Sequence, residues 1–331
     1  MMKNNAYSKI KDALQNVAEN QFFIHEYGKE HASSLHPQHV SVPICGKGSI
    51  TIYPIFPGIE LSFHRYLTQQ ANFHHSPNDH ILEINYCHQG RIGWDMKNNA
   101  SVYLGEGDVC LHTLSSCADS TISLPLGYYE GIACTFDLQR IQKQDLPLLK
   151  NIDFDPQMLY THFCAKKEVL GILSNDWTRS VFSQMWNIPT SIQLTYYKLK
   201  VIELLLYLMK IENNQNQPLT AYENTQIELI REVHKFLITH IEQRFTIEEL
   251  SKQFLINTSS LKAIFKAVYG QPIAAYMKEY RLQYAAKQLK ESDRSILEIA
   301  KEIGYGTQGK FSKAFKEHMQ LSPSQYRKTN K

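Results

Sequence analysis

The segment from Thr246 to Arg327 carries one pattern twice, and that duplication constrains the fold more than any other feature of the chain. The first copy opens Thr246-Ile247-Glu248-Glu249-Leu250 and the second Ser295-Ile296-Leu297-Glu298-Ile299. Both are S/T-x-x-E capping boxes, in which the hydroxyl closes the start of a helix and the Glu reaches back to the cap residue. The offset is 49 residues at the caps. It becomes 50 where Phe265-Lys266 is set against Phe315-Lys316 and Tyr276 against Tyr326. Each copy predicts a short capped helix, a tight turn and a longer helix with a basic outer face. Such a unit can lay its second helix in the major groove of duplex DNA.

The inner and outer faces of the longer helices can be read from their spacing. Leu261, Ile264, Phe265 and Val268 fall at i, i+3, i+4 and i+7, a buried stripe, which leaves Ser259, Lys262, Ala263 and Lys266 outward. In the second copy Phe311, Ala314, Phe315 and His318 repeat the stripe, leaving Gln308, Lys310, Lys313 and Lys316 on the open side. Lysines there can pair with phosphates or reach guanine, and Gln can contact adenine at two points. Between the copies, Ile273 to Lys290 predicts a helix of ~27 Å, long enough to hold two recognition helices about one DNA turn (~34 Å) apart. Charge agrees. Residues 225–331 hold 18 Lys and Arg against 11 Asp and Glu, while residues 1–224 hold 17 against 21. A basic end on an acidic body fits a nucleic-acid module joined to a part with another task.

That other part is patterned differently. A chain of 331 residues can form two domains. Residues 1–40 are polar, with an amphipathic helix expected from Tyr7 to Phe23. From 49 to 137 come short β-rich runs: Ile50–Ile55, Glu60–Leu67, His80–His88, Ile92–Met96, Ser101–Leu104, Val109–Leu114, Thr121–Leu124 and Tyr129–Phe136. Leu82, Ile84 and Tyr86 alternate with more polar neighbours, as in a half-buried strand. Gly90, Asn98-Asn99 and Gly105-Glu106-Gly107-Asp108 are expected to mark hairpins. Eight short strands at this spacing suggest a sandwich or barrel. Helical spacing follows over 156–212, with Val169 to Trp186 read as one helix and Tyr196 to Ile211 as a second. The stripe Leu199, Ile202, Leu206, Met209 on that second helix could pack within the chain or against a second copy. Asn213 to Pro218 has no apolar residue and ends on proline, so 213–224 are expected to be a linker.

Residues 225–328 resemble the AraC/XylS family of bacterial transcription regulators. The resemblance rests on Leu261-x-x-x-Phe265-Lys266, Gly270-x-Pro272, Tyr276, Arg281-Leu282-x-x-Ala285, Leu289, Ser295-Ile296-x-x-Ile299-Ala300-x-x-x-Gly304-Tyr305, Phe311-x-x-x-Phe315-Lys316 and Ser322-Pro323-x-x-Tyr326-Arg327. It implies base reading by Ser259, Lys262 and Ala263 in the first unit, and by Gln308, Gly309, Lys310 and Lys313 in the second. Three positions depart from the family pattern. Ser251 replaces a small apolar residue, Gln320 stands where glycine usually closes the last recognition helix, and Gly309 has no side chain to read a base. The first 212 residues resemble the family's sensory half in outline. The expected architecture is therefore an all-β, cupin-like barrel with flanking helices (1–212), a linker (213–224), and an all-α domain (225–331) with two helix-turn-helix units joined by a long helix.

The function this implies is sequence-specific DNA binding in transcription regulation, tuned by a small-molecule effector. The alternative is a regulator controlled by a protein partner or by dimerisation alone. Tyr53, Phe63, Tyr86 and Trp94 are candidates for an effector pocket, with core packing as the competing role of such aromatics. Double-stranded DNA, an effector and a second copy of the chain are the expected partners, with RNA polymerase if the chain is an activator. No cofactor, metal or membrane partner is expected. His74, His75, His80, His88 and His112 lack ligand spacing with Cys87 and Cys110. Catalysis is disfavoured, because Tyr86-Cys87-His88-Gln89 lacks the Pro and Arg of the alkyl-acceptor site found beside this module in some repair proteins. The six cysteines (45, 87, 110, 117, 134 and 164) show no C-x-x-C pair, and Met1 to Asn20 has no apolar signal core. Reduced thiols and a cytoplasmic location are expected.

Overall fold

The computed structural model describes residues 2–27, 39–41, 46–74, 76–96, 99–117, 120–143, 154–166, 168–172, 176–211 and 216–330. The chain forms two compact units, one of Ala6–Ala221 and one of Tyr222–Lys331 together with Met1–Asn5. Strands β1 (Phe22–Glu26), β2 (His39–Ser41), β3 (Lys47–Phe56), β4 (Ile59–Leu67), β5 (Gln70–His74) and β6 (Ile81–Met96) follow the opening helix α1 (Met2–Ala13). Next come β7 (Ala100–Gly105), β8 (Val109–Thr113), the single turn α2 (Leu114–Cys117), β9 (Ser120–Ser123) and β10 (Tyr129–Asp137). The unit ends with α3 (Leu138–Lys143), α4 (Pro156–Leu159), β11 (Leu170–Ile172), α5 (Asp176–Ser183), α6 (Gln193–Lys210) and β12 (Asn216–Pro218). As expected, the chain is β-rich first and helical last.

The expected helix from Tyr7 to Phe23 stops at Ala13, and Phe22 and Phe23 instead open β1, which runs parallel to β3. Ile10 of α1 and Leu14, just after its end, pack on Tyr128. Residues 80–88 and 92–96, read as two strands of a hairpin turned at Gly90, are one 16-residue strand. Gly90 has φ of 86°, and a Cβ there would strike the Tyr128 carbonyl. The glycine pairs with Tyr129 and does not end β6, and just before it the β6–β10 register shifts between Glu130 and Gly131, a bulge at His88 that re-aims the strand. Before the bend β6 pairs with β10 and β8, and after it with β7 and β9. One strand thus belongs to two sheets, and the β layer curls around it.

Both faces of this curl are buried, which the alternation in β6 did not reveal. Leu82, Ile84 and Tyr86 join Leu61, Phe63 and Ile132 on the outer face, covered by Val181, Phe182 and Met185 and by Tyr197, Val201 and Leu205. Their polar neighbours Glu83 and Asn85 line an interior cavity instead of meeting water. Val169 to Trp186 is not one helix. Leu170-Gly171-Ile172 pairs with β8, and the helix begins only at Asp176. The glycine and β-branched Ile favour the strand over a helix interior. The expected α6 is present, from Gln193 to Lys210. Of the expected linker, Asn216–Pro218 pair as β12 with β11, while 213–215 lie outside the described residues.

The second unit is built from α7 (Asn224–Thr239), α8 (Ile247–Gln253), α9 (Thr258–Tyr269), α10 (Ile273–Glu291), α11 (Ile296–Glu302), α12 (Gln308–Met319) and α13 (Pro323–Asn330). Its cores are aromatic and aliphatic: Phe265 packs on Tyr269 and Tyr276, and Phe315 on Phe311 and Tyr326. No described helix in the chain is long and apolar enough to cross a membrane.

Candidate nucleic-acid interface

Both capping boxes form as the sequence predicts. Thr246 Oγ1 accepts from the Glu249 N–H while the Thr246 N–H donates to Glu249 Oε2, and Ser295 and Glu298 repeat both bonds. The bonds these carboxylates accept hold Glu249 and Glu298 below the usual glutamate range. The loop entering each box is held from behind by an arginine. Arg281 donates to the carbonyls of Ile241 (2.7 Å) and Gln243 (2.5 Å), and Arg327 to those of Leu289 (3.3 Å) and Arg294 (2.5 Å). The short helices α8 and α11 are therefore fixed at their starts in the same way in both copies.

The longer helices start at side-chain caps as well. Asn257 Oδ1 accepts from the Ser260 N–H at 2.7 Å and from the Ser259 hydroxyl at 2.7 Å, and Thr307 Oγ1 accepts from the Lys310 N–H at 3.3 Å. Inward, α9 buries Leu261, Ile264, Phe265, Val268 and Tyr269, and α12 buries Phe311 and Phe315. Outward, Ser259, Lys262, Ala263 and Lys266 on α9 are all exposed, and so are Gln308, Gly309, Lys310, Lys313 and Lys316 on α12. At about 100° per residue the four α9 positions share an arc of roughly 100°. On α12 Gly309, Lys313 and Lys316 share one of about 60°, with Gln308 and Lys310 flanking it in the first turn. None of the five lysines has an ion-pair partner among the described residues. Two capped helices thus present exposed cations and small polar groups on backbones fixed by caps and aromatic cores. That surface suits phosphates and groove edges.

The aromatic candidates of the first unit do not meet at one place. Tyr53 and Phe63 stand against Tyr197 with ring centroids 5.0 and 5.2 Å away, and Tyr86 stacks on Phe182 at 4.7 Å. All three belong to the outer apolar layer. Trp94 lies on the inner side, where it lines a cavity of about 50 Å³ with Glu60, Ser62, His64, Glu83 and Asn85. In that interior His64 bonds Ser62 Oγ (2.7 Å) and Tyr66 Oη (2.5 Å), and burial pushes its imidazole down to about 4. Sequence reasoning missed this polar lining, because a polar residue every second position ordinarily signals a solvent face. His75 and Cys45 lie outside the described residues, and no metal-binding cluster occurs among the described ones.

A family model described as a helix-turn-helix domain matches residues 250–329. The regulatory protein SoxS of Salmonella typhimurium is 30% identical over 100 residues, covering 30% of this chain and 94% of SoxS. A protein of Streptomyces lividans described as an AraC-like transcription regulator is 36% identical over 84 residues, 25% of this chain. The chain spans 28% of the length of that protein and of the other longer curated relatives it matches first. Among solved structures, the C-terminal domain of AraT, a response regulator from Geobacillus stearothermophilus, is 31% identical, covering 30% of this chain and 84% of that one at a TM-score of 0.29.

Proposed function

Because the chain belongs to the AraC/XylS family, we propose that it regulates transcription by binding duplex DNA through α9 and α12, laid in two successive major grooves. One observation carries the reading: two independently capped helices, tied by the 19-residue α10, expose all nine candidate contact positions. Lys262, Lys266, Lys310, Lys313 and Lys316 contact phosphate or guanine, Gln308 reads adenine, and Ser259, Ala263 and Gly309 allow close approach. A gel shift on the full chain tests this. Duplex binding that weakens steeply from 50 to 200 mM salt is expected, because each neutralised phosphate releases counterions. Salt-independent binding, or none at low salt, would remove the reading.

The unit of Ala6–Ala221 supplies the second copy and the control. From the cap residue Ile192 along α6, Thr195, Leu199, Ile202, Leu206 and Met209 follow at steps of three and four, the spacing of a helix-pairing seam. Three of its apolar members stay open, Ile192 at 52% exposed, Leu199 at 62% and Leu206 at 39%, while Ile202 and Met209 are half-buried. A second copy packed there by the same helix would double the DNA contacted. Control by an effector held in this unit is the first reading. The described cavity of about 50 Å³ is far below the ~300 Å³ at which ordinary ligand pockets begin, so a drug-sized effector would need another site in this unit, and control by a protein partner or by dimerisation alone is the alternative.

A further inference from the structure

The interior cavity is bordered by a thiol with a built hydrogen-bond relay behind it. Cys117 closes α2 and lines the cavity, as do Asn85 and Glu83 of β6. Its sulfur lies 3.4 Å from His112 Nδ1. On the far side of the ring, Asn85 Nδ2 donates to His112 Nε2 at 2.9 Å and to Glu83 Oε1 at 2.8 Å. With Asn85 donating to Nε2, the tautomer that carries its proton on Nδ1 turns that proton toward the sulfur and the Thr113 carbonyl, 3.1 Å away. The other described thiols differ. Among the described thiols only Cys117 has a hydrogen-bond contact to an imidazole. A donor aimed at sulfur stabilises thiolate, the nucleophilic form.

We propose that Cys117 is a reactive thiol that a hydroperoxide no larger than hydrogen peroxide oxidises inside the curled sheet. The volume sets the size class, since 50 Å³ admits a few water-sized positions and no more. In the step, the sulfur attacks the nearer peroxide oxygen, the S–O bond forms and the O–O bond breaks. The proton released by the thiol neutralises the departing hydroxide as water. Sulfur is oxidised by two electrons to sulfenic acid and the peroxide is reduced. The Nδ1–H of His112 holds the sulfur anion, while Asn85 and Glu83 fix the ring that presents it.

The test uses the reduced full-length protein with one equivalent of hydrogen peroxide, dimedone to trap sulfenic acid, and peptide mapping over time. The expected adduct is on Cys117, forming at least tenfold faster than on Cys164, and His112→Gln lowers that rate at least tenfold. Labelling that appears first on Cys45 or on any other cysteine overturns the proposal. So does a Cys117 rate equal to that of Cys164. An unchanged rate in a His112→Gln protein that still melts cooperatively overturns it as well. If that variant unfolds, the comparison of Cys117 with Cys164 in the unaltered protein decides alone. The chemistry is read at sulfur without DNA, so this proposal and the regulator reading can fail separately.

Discussion

Gly270 and Gln320 close α9 and α12 in the same left-handed conformation, with φ of 82° and 61°, and each donates its N–H to the carbonyl four residues back. The left-handed cap is therefore kept at Gln320, where the family pattern has glycine, on a residue that is strained there. A non-glycine residue in this region costs roughly 1–2 kcal/mol. Part of that is returned by the bond from Gln320 Nε2 to the Glu317 carbonyl. Gln320→Gly should stabilise the second unit by about 0.5–1 kcal/mol, and Gly270→Ala should destabilise it by about 1 kcal/mol. Urea midpoints for the two variants, moving in opposite directions, check the pair.

The turns inside the two helix-turn-helix units make a second such contrast. Leu255 turns the first at φ of 51° and is 93% exposed, while Gly304 turns the second at φ of 79°. A Cβ on Gly304 would collide with the Glu242 carbonyl, so that glycine meets both a conformational and a steric demand. Leu255→Gly should raise stability by up to about 1 kcal/mol, and Gly304→Ala should lower it by more than 2 kcal/mol. Thermal melts that rank the two substitutions the other way round would contradict this account.

The repeats were legible because capping boxes, apolar spacing and the Phe-Lys pairs are local signals, each set by residues within one or two helical turns. What stayed hidden depends on distant packing. Gly90 reads as a hairpin glycine until Tyr128 is found beside it, and Glu83 and Asn85 read as a solvent face until both sides of β6 are seen to be covered. Leu170-Gly171-Ile172 looks helical by its neighbours' spacing and becomes a strand because β8 offers it an edge. Among the candidate residues, the outward lysines followed from helical period alone. Cys117 did not, because the Asn85 amide and Glu83 carboxylate beside the neighbouring His112 come from β6, a separate part of the chain.

His234 gives the second unit a pH dependence of definite sign. Burial lowers its imidazole from 6.5 to about 4, with Tyr269 stacked at 4.4 Å and Tyr276 Oη at 2.8 Å from Nε2. Between those values the unfolded chain binds the proton and the folded chain does not, so stability is fully present above 6.5 and is lost as pH falls toward 4. The loss is of order 3 kcal/mol. Urea unfolding of residues 222–331 across pH 4–7 should show this slope, and His234→Phe should flatten it above pH 5.

The α6 seam is testable without disturbing the core, because Leu199 and Leu206 face outward while Val201, Leu204, Leu205 and Leu208 face in. Leu199→Glu with Leu206→Glu should give a monomer by sedimentation, with the melting temperature of the monomeric unit unchanged and operator affinity reduced at least tenfold. A dimer that survives both charges would place the interface elsewhere. A monomer in the unaltered protein, with and without DNA, would end the dimer reading.

Base contacts and phosphate contacts on the two recognition helices should separate by substitution. Lys262→Ala and Lys313→Ala should each cost about 1–3 kcal/mol on the specific site and relax base preference at one or two positions if the ammonium reaches a base edge. A lysine that touches only phosphate should instead weaken binding to every sequence alike and reduce the salt slope by about one. Gly309 supplies the control for face. A Cβ added there meets nothing within 4 Å, so Gly309→Ala should leave the free protein as stable as before or slightly more so. On DNA the same methyl would occupy the space through which the α12 backbone approaches the groove. A loss of affinity in Gly309→Ala with no loss of folding would place the first turn of α12 against the bases, whereas unchanged affinity would turn that edge of the helix to solvent.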